Sequence, residues 1–338
     1  MATIKDVAKM AGVSTTTVSH VINKTRFVAD QTTKRVWQAI NDLNYSPSAV
    51  ARSLKSNTTR SIGMLVSDAN APFFMEIIAG VEKYCYKNGY TLILCSTQGN
   101  PKKQKDYLQM LAEKRVDGLI VMCSELNNEL QINLEKYQSL PKVVMDWSDV
   151  GIDSSKINDK ITDNTRKGSI LATQYLIDMG HTKIGCITGP LNRHTCKDRL
   201  QGFYQAMTQA KLKVNPDWII EGDFEFESGS QAAKKFIAMP ERPTGLYIFN
   251  DIMSFSAIST FVDSGILVPK DMSIIGYDNI EFSAYFSPPL TTIHQPKRRL
   301  GKTAVELLFE RMKNKDHEPQ TFTMTPELIE RKSVKKMR

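Results

Sequence analysis

The sequence predicts a small all-α N-terminal segment followed by two open α/β units with parallel sheets. Three observations lead to this fold class. Residues 1–46 carry short helical patterns, residues 61–338 alternate apolar runs with amphipathic helical patterns, and this alternation starts a second time after residue 161. Because neighbouring parallel strands need a crossover between them, such alternation is typical of sheets that helices cover on both faces.

Residues 3–26 predict two short helices joined by a turn. In the first helix, the apolar residues recur at steps of three and four: Ile4, Val7, Ala8 and Ala11. Gly12 interrupts this period, and the Ser14 hydroxyl is suited to cap the start of a second helix. The apolar face of the second helix consists of Val18, Val21 and Ile22. Two helices joined at a glycine turn indicate a helix-turn-helix.

Polar residues and positive charge give this segment the character of a DNA-binding module. The second helix starts with Thr15 and Thr16, and His20 follows one turn later. Short polar side chains of this kind can approach base edges in a major groove. Residues 1–60 contain nine Lys or Arg and three acidic residues, which is +6 of the chain's net +8. A surface helical hairpin is the alternative, because Ser and Thr also occupy ordinary caps and turns.

A third helix is predicted over residues 30–43. Asp30 stands where it could cap this helix, and Trp37, Ile40 and Leu43 follow at helical spacing. The helix would bury this apolar face against the first two helices and complete a small three-helix core.

A shorter helix is predicted over residues 48–56. Ser46 can act as its N-cap, and Pro47 suits the first helical position because that position needs no backbone donor. A helix of this length is not stable alone in water, so it needs a partner to pack against. An ordinary linker is the alternative.

The strands and helices of the first α/β unit are predicted from apolar runs and helical spacing. In chain order they are a strand at 61–68, a helix at 74–88, a strand at 90–97, a helix at 102–115 and strands at 117–124 and 143–147. The second unit is predicted to contain a helix at 167–179, a strand at 183–189, a helix at 197–210 and strands at 245–251 and 273–279.

The last part of the chain is expected to return to the first unit. The second sheet is expected to be complete before residues 291–296 and the helix predicted at 298–314. This part of the chain is therefore expected to cross back to the first unit. The tail at residues 331–338 carries five positive charges and is expected to fray.

Composition excludes several classes of protein. The chain has no apolar run of about 18 residues and no basic-then-apolar signal-peptide layout, so we expect a cytoplasmic protein with no membrane partner. The five cysteines form no CxxC pair, which favours reduced thiols. The five histidines are too scattered to suggest a metal site.

An enzyme is the alternative from another functional class, because α/β sheets host many enzymes. The sequence contains no GxGxxG after a strand, no GxxxxGKS/T, no GxSxG and no HExxH. Asp146 and Asp278 are candidates for an acid and a base, but no nucleophile or metal ligand accompanies them. The sequence therefore favours a protein that is not an enzyme.

Candidate ligand-binding residues lie at the carboxyl ends of the predicted strands, where open α/β sheets bind their ligands. The polar and aromatic residues at those ends are residues 70–74, 146–147 and 189–195 together with Arg199, Phe224, Glu225, Tyr277 and Asp278. This set combines ring faces with hydrogen-bond donors and acceptors, which suits a flat polar heterocycle. For each residue alone, the alternative is a place in the core, a helix cap or an ion pair.

Several segments identify a resemblance to a known family. TIKDVAKMAGVS, TVSHVIN and YSPSAVARSLKS resemble the headpiece and hinge of the lactose-repressor family of bacterial transcription regulators. The resemblance continues through SIGMLV, KRVDGLIVM, GHTKIGCITGP, SIIGYDN, PPLTTIHQP and ELIERKSV, and so covers nearly the whole chain. It is strongest to the family members that respond to purines.

The resemblance implies a domain organisation. Residues 1–46 would form a helix-turn-helix DNA-binding headpiece, and residues 47–60 a hinge helix and linker. Residues 61–338 would form an effector-binding and dimerisation domain that is similar to type I periplasmic binding proteins. Its N-lobe is expected at about 61–161 and 294–323, and its C-lobe at about 162–293 and 324–338.

The resemblance also implies a homodimeric transcriptional repressor that binds pseudopalindromic operator DNA. The residues that it places in the major groove are Thr15, Thr16, His20 and Arg26, and those in the minor groove are Leu54 and Lys55. The hinge helices of the two subunits would fold against each other on DNA. Such a protein is expected in the bacterial cytoplasm, on the nucleoid when it is bound to its operator.

The implied effector is a purine base, hypoxanthine or guanine, which would enhance operator binding at genes of purine nucleotide biosynthesis; no cofactor is implied. Phe74 and Phe224 would stack on the purine ring, and Arg193 and Thr195 would donate to its acceptors. Asp278 would accept from its ring donors.

Four further residues complete the implied site. Glu225 would accept a second hydrogen bond, Phe73 and Trp147 would wall the pocket, and Arg199 would support it. Phe73 takes the place of a tyrosine that is typical of the purine-responsive members, and residues 148–160 match them poorly. Phe226 stands where a proline is usual.

The alternative to a purine-responsive repressor is a related regulator with a sugar or nucleoside effector that releases DNA.

Overall fold

We describe the protein from a computed structural model. The structure describes residues 2–47, 53, 58–123, 128–145, 159–314 and 318–337. The chain divides into two compact units, Met1–Thr59 and Arg60–Arg338. Among the described residues, no helix combines the length and the apolar character that crossing a membrane requires.

The headpiece is the predicted three-helix unit, with α1 at Ile4–Ala11, α2 at Thr15–Asn23 and α3 at Asp30–Asp42. Gly12 ends α1 in the left-handed conformation, with φ of 64°, which a glycine adopts without a steric penalty. The Ser14 hydroxyl accepts a hydrogen bond from the Thr17 amide at 3.1 Å and so caps α2. The helix-turn-helix prediction is confirmed.

Two details of the third helix were predicted wrongly. Trp37 is 43% exposed, and the buried face of α3 is formed by Val36, Ala39 and Ile40. Ala29 holds the cap position, and Asp30 is the first helical residue. Consecutive residues of a helix point about 100° apart, so the faces that contain Val36 and Trp37 are neighbours. The prediction chose the face with Trp37 because that side chain is the largest apolar one in the helix.

The hinge helix was predicted over residues 48–56, and all of these except Ser53 lie outside the described residues. Leu54 and Lys55 belong to this segment, so their predicted roles stay predictions.

The first lobe of the body is a sheet with strand order β11-β5-β4-β3-β1-β2, in which the paired strands are parallel. Its strands are β1 Ser61–Val66, β2 Thr91–Ser96, β3 Gly118–Met122, β4 Lys142–Met145, β5 Asp159–Thr162 and β11 Thr321–Thr323. Its helices are α4 Pro72–Lys87, α5 Pro101–Glu113, α6 Asn128–Lys136 and α11 Lys297–Lys313. The strands predicted at 61–68, 90–97 and 117–124 are confirmed, and β5 and β11 were not predicted.

The second lobe is a sheet with strand order β12-β10-β9-β8-β6-β7, parallel except for the antiparallel pair of β10 and β12. Its strands are β6 Ile184–Thr188, β7 Ile219–Glu221, β8 Gly245–Ile248, β9 Ser273–Asp278, β10 Thr291–His294 and β12 Glu327–Ile329. Its helices are α7 Thr165–Asp178, α8 His194–Gln209, α9 Phe226–Ala238 and α10 Asp251–Asp263.

The chain passes between the lobes after β5, after β10 and after β11. The second passage differs in part from expectation, because Thr291–His294 still belongs to the second sheet and the return to the first lobe starts only at α11. Helix α11 packs through Leu300 and Ala304 into the same core as Ile77 and Val81 of α4.

The C-terminal tail is ordered against the second lobe, which corrects the expectation that it frays. The Ser333 side chain is fully buried, and its carbonyl accepts a hydrogen bond from the Ile274 amide at 2.8 Å. The Met337 amide donates to the Met179 carbonyl at 2.7 Å. Backbone hydrogen bonds of this kind do not depend on side-chain charge, so the basic composition of the tail did not indicate them.

Candidate DNA-binding surface and ligand site

The headpiece presents the predicted DNA-reading residues at the start of α2 and just beyond its end. Thr15 and Thr16 are exposed in the first turn, and Arg26 is exposed in the loop after the helix. His20 is half-buried, and its Nδ1 lies 2.7 Å from the Thr25 hydroxyl, which fixes the ring. The start of a helix also carries a partial positive charge, so this surface favours phosphate.

The second lobe holds an aromatic platform at the carboxyl end of β6. Phe224 lies in the loop after β7 with a positive φ of 77° and places its ring against Gly189. A Cβ at Gly189 would lie 2.2 Å from that ring, so only glycine allows this approach. The Arg193 guanidinium carbon lies 5.6 Å from the Phe224 ring centroid, which is cation–π distance.

A buried ion pair lies beside this platform. The Arg199 guanidinium carbon is 3.7 Å from the Tyr277 ring centroid, and its Nη2 is 3.8 Å from Asp278 Oδ1. Arg199 Nη1 also donates to the Phe249 carbonyl. Both members of the pair are buried, so each depends on the other and on nearby dipoles to replace water.

Asp278 is the most perturbed acid of the site. Burial raises the pKa of its carboxyl group to about 8, although the neighbouring Arg199 acts in the opposite direction. Its backbone has φ of 106°, a conformation that L-residues rarely adopt. Gln295 Nε2 donates to Asp278 Oδ1 at 3.4 Å. A carboxyl group in this setting is poised to accept a hydrogen bond from a ligand.

Glu225 and Thr195 lie at the rim of the second lobe. Glu225 is the N-cap residue of α9. Burial is the largest cause of the raised pKa of its carboxyl group, and the negative charges of Asp68 and Asp223 raise this pKa further. The Arg193 guanidinium acts in the opposite direction. Thr195 lies in the first turn of α8. Asp68 follows β1, so the carboxyl ends of both sheets contribute charge to this region.

The first lobe contributes its own aromatic pair. Phe73 and Phe74 lie in the first turn of α4, with ring centroids 5.4 Å apart in an edge-to-face arrangement. Phe73 lines a small cavity together with Gln295 and Asp163. Because Gln295 also contacts Asp278, the first-lobe and second-lobe residues converge on one region. Trp147 lies outside the described residues.

Sequence reasoning missed two supporting residues. Gln295 contacts the Asp278 carboxyl group, and Lys297 donates to the Asp278 backbone carbonyl at 2.6 Å. Tyr277, which the sequence did suggest as a candidate, covers the Arg199 guanidinium. Gln295 and Lys297 directly follow strand β10. The strand-end rule that selected the other residues would have selected them as well.

Within the described ranges, no group of three or more His, Cys, Asp or Glu side chains is arranged to hold a metal ion. All five cysteines are free thiols, and all are buried.

Comparison with known families finds two matching models. Residues 3–48 match the model of bacterial regulatory proteins of the lacI family. Residues 173–334 match a periplasmic binding protein-like domain.

Curated relatives match the chain over its whole length. The HTH-type transcriptional repressor PurR of Aliivibrio salmonicida is 64% identical over 100% of both chains. The protein of the same name from Photobacterium profundum is 61% identical over 99% of both chains.

Solved structures match the fold. A lac repressor dimer bound to operator and the anti-inducer ONPF has a TM-score of 0.90 at 28% identity, covering 99% of both chains. A LacI family transcriptional regulator from Enterococcus faecium with bound ribose has a TM-score of 0.72 at 29% identity, covering 82% of this chain and all of the other.

Proposed function

The chain belongs to the lacI family of bacterial regulatory proteins, and from this premise we propose that it is a homodimeric transcriptional repressor with a purine base as corepressor. Hypoxanthine or guanine would raise its affinity for a pseudopalindromic operator at genes of purine nucleotide biosynthesis. Relatives that carry the name PurR at up to 64% identity support this assignment.

One observation carries the ligand assignment: an aromatic platform lies beside a buried acid. The tip of the Phe224 ring lies against Gly189. The Arg199 guanidinium carbon is 5.9 Å from the centroid of that ring, and Arg199 Nη2 is 3.8 Å from Asp278 Oδ1 in the same lobe. A purine offers a ring face for the first group and ring N–H donors for the second. A sugar offers hydroxyl groups and no extended ring face, so it would use this combination less well.

Selectivity follows from the burial of these polar groups. Arg199 and Asp278 are both buried, so a ligand that lacks matching edge atoms would leave a desolvated group without a partner. Such mismatches reduce affinity by about four to five orders of magnitude in sites that are built for hydrogen bonding.

We assign DNA recognition to the headpiece and hinge. Thr15, Thr16, His20 and Arg26 would contact bases and flanking phosphates in the major groove. Leu54 and Lys55 would contact the minor groove, with Leu54 wedged between base steps. Residues 1–46 would act as the headpiece, 47–60 as the hinge, and 61–338 as the effector-binding and dimerisation domain.

Regulation would act through the hinge. A helix as short as residues 48–56 gains stability only when its copy in the second subunit packs against it. Purine binding would fix the two lobes in the arrangement that lets these helices meet on DNA. The ligand can shift this equilibrium only by its preference for that arrangement, typically about 1 to 3 kcal/mol.

The protein would act in the cytoplasm, where the chromosome lies, and on the nucleoid when it is bound to its operator. It would need no metal or organic cofactor. We propose no catalysis, because the related proteins are named repressors. Chromatography of hypoxanthine after long incubation with the protein should recover it unchanged, and a new product would contradict this.

The second candidate is a sugar or nucleoside effector. Two observations favour it: the ribose-bound family member and the hydroxyl-free Phe73. Phe73 borders a small cavity lined by Met122, Met145, Ile161 and Leu300 and by the polar side chains of Asp163 and Gln295.

A titration tests both candidates. Operator fragments selected from genomic DNA would be titrated with the dimer, with and without hypoxanthine, and calorimetry would compare hypoxanthine, guanine, inosine and ribose. We expect the two bases to bind and to strengthen operator binding. Heat from ribose or inosine alone, with weaker operator binding, would contradict the purine assignment and support the second candidate.

A further inference from the structure

Lys297 is a buried cation at the passage from the second lobe to the first. It is the first residue of α11, and its side chain is only 1% exposed. Burying an ammonium group is costly unless all its donors find acceptors. The partners of Lys297 therefore show what this residue holds in place.

The ammonium group has three polar neighbours, and they come from both lobes. Lys297 Nζ donates hydrogen bonds to the carbonyl oxygens of Asp278 at 2.6 Å and Asn279 at 2.9 Å, both in the second lobe. Its third neighbour is the Glu76 carboxylate on helix α4 of the first lobe, with which it forms an ion pair at 3.4 Å from Nζ to Oε1. Two hydrogen bonds to one lobe and an ion pair with the other therefore meet at one buried ammonium group.

The backbone of Lys297 itself is fixed to the first lobe. A Cβ at Gly80 of α4 would lie 2.8 Å from the Arg298 carbonyl, and a Cβ at Gly301 would lie 2.4 Å from the Ile77 carbonyl. Helices α4 and α11 therefore approach each other closely at this point. The backbone from which the Lys297 side chain extends is therefore held against α4, and the ammonium group itself meets α4 at Glu76.

The second-lobe partners of Lys297 belong to a strained turn that contains Asp278, the candidate ligand acceptor. Asp278 and Asn279 both have positive φ, 106° and 51°. Such conformations persist only when surrounding groups hold them. The two carbonyls that Lys297 holds are those of these two residues, so the ammonium group helps to fix the direction of the Asp278 carboxylate.

We propose that Lys297 and Glu76 form a cross-lobe link that carries the corepressor response from Asp278 to helix α4. The proposal rests on the function proposed above. Both residues are positioning residues: Lys297 acts on the ligand through Asp278, and Glu76 acts through Lys297. Phe73 and Phe74 lie one turn before Glu76, so the bound ligand and the link would connect the same two elements.

The chain offers a matched control. Arg298 Nε lies 4.0 Å from Glu76, but the Arg298 side chain is 79% exposed and belongs to the first lobe. Arg298→Gln removes a cation beside Glu76 without touching the second lobe, whereas Glu76→Gln and Lys297→Met each break the link. An exposed ion pair of this kind contributes little to stability. Arg298→Gln should therefore leave the contact between the lobes intact, which makes it the control for the other two variants.

The experiment compares operator affinity with and without hypoxanthine for the full-length dimer and these variants. We expect Glu76→Gln and Lys297→Met to reduce the stimulation by hypoxanthine at least about threefold, and the double variant to lose no more than Lys297→Met alone. Arg298→Gln should keep the stimulation within about twofold. Lys297→Met should also weaken hypoxanthine binding to the DNA-free protein, because Asp278 loses its support.

The outcomes separate this proposal from the function. If wild type responds to hypoxanthine and Glu76→Gln responds by the same factor, the link is wrong and the function stands. If all variants lose operator affinity equally with and without hypoxanthine, the pair is merely structural and the link is again wrong. If wild type ignores hypoxanthine, the purine assignment fails, and the same variants are tested with inosine and ribose. A response to neither compound would overturn the link as well.

Discussion

At the scale of single residues, the ligand site is governed by desolvation. Arg199 and Asp278 lie 3.8 Å apart and are both buried, while Tyr277 covers the guanidinium group from one side. Replacing Arg199 would remove the cation that lowers the pKa of Asp278, and replacing Asp278 would leave the buried guanidinium with the Tyr277 ring face and the Phe249 carbonyl as its partners. The pair therefore constrains both the stability of the second lobe and the choice of ligand.

Purine binding should release a proton from Asp278. In the free protein, burial raises the pKa of this carboxyl group to about 8, so the group is largely protonated at pH 7. A bound ring N–H stabilises the carboxylate and lowers its pKa, so binding expels the proton. Affinity should then rise with pH, by at most about tenfold per unit, up to about pH 8.

Calorimetry of hypoxanthine binding in phosphate and in Tris measures this proton release. The two buffers should give different apparent heats, since they take up protons with different enthalpies. The Asp278→Asn variant serves as the control, because it should bind weakly and without pH dependence. Equal heats in both buffers together with a flat pH profile for wild type would contradict the prediction.

Arg193→Ala should abolish the response to purine and preserve DNA binding. The guanidinium group lies 5.6 Å from the Phe224 ring centroid and is proposed to donate to the purine, whereas the proposed phosphate contacts lie in the headpiece. Operator binding without purine should keep its dependence on salt. The matched control is Lys197→Ala, which removes an exposed cation one turn along α8. An intact purine response in Arg193→Ala would exclude Arg193 from the site.

At the scale of elements, the proposed function depends on the turn between α1 and α2 and on the ends of the strands. Gly12 and Ser14 set the angle at which the first turn of α2 is presented. In the body, the strands β6 and β9 bring Arg193 and Asp278 to the same edge of one sheet, because parallel strands end at the same edge. Each element contributes one or two side chains, and none holds a complete site.

The hinge element gives the next prediction. Leu54→Ala should weaken specific operator binding, because the shorter side chain no longer fills the gap between kinked base steps. Hypoxanthine affinity of the DNA-free protein should stay the same, since Leu54 lies outside the body. Leu54→Met keeps the volume and should retain most of the operator affinity. Fluorescence anisotropy with operator DNA and calorimetry with hypoxanthine measure the two quantities; a parallel loss of hypoxanthine affinity would argue against the hinge role.

At the scale of the whole molecule, charge separates the two tasks. Residues 1–60 carry a net +6, while the much longer body at residues 61–338 holds 35 basic and 33 acidic side chains, a net of only +2. Nonspecific attraction to DNA should therefore come from the headpiece and hinge alone. The body can change its lobe arrangement without gaining or losing phosphate contacts.

Operator DNA should tighten purine binding by the same factor by which purine tightens operator binding. This reciprocity follows from linkage for any pair of equilibrium binding sites. Calorimetric titration of hypoxanthine into the free dimer and into the operator complex measures one factor, and operator titrations with and without hypoxanthine measure the other. A nonoperator fragment of equal length is the control. Unequal factors at the same salt concentration would show that a further state, such as a change of oligomer, takes part.

The sequence alone determined much of the local structure. Helical spacing placed α1 and α2, and Gly12 and Ser14 fixed the turn between them, because these effects act over one or two helical turns. The apolar runs at 61–68 and 273–279 became buried strands for the same reason. Trp37 shows the limit of such patterns: a shift of one residue along the helix changes the face that is predicted to be buried, and here the buried face contains Val36 and not Trp37.

The arrangement of the site was decided by the tertiary structure. Arg199 and Asp278 are far apart in the chain, and the sequence suggested both as candidates but could not show that Tyr277 covers one and Lys297 supports the other. Likewise, the basic composition of the tail suggested fraying, whereas the Ser333 backbone binds the second sheet. Local patterns report the conformational preference of a few neighbouring residues, and contacts between distant residues arise only when the sheets close and water is excluded from the space between them.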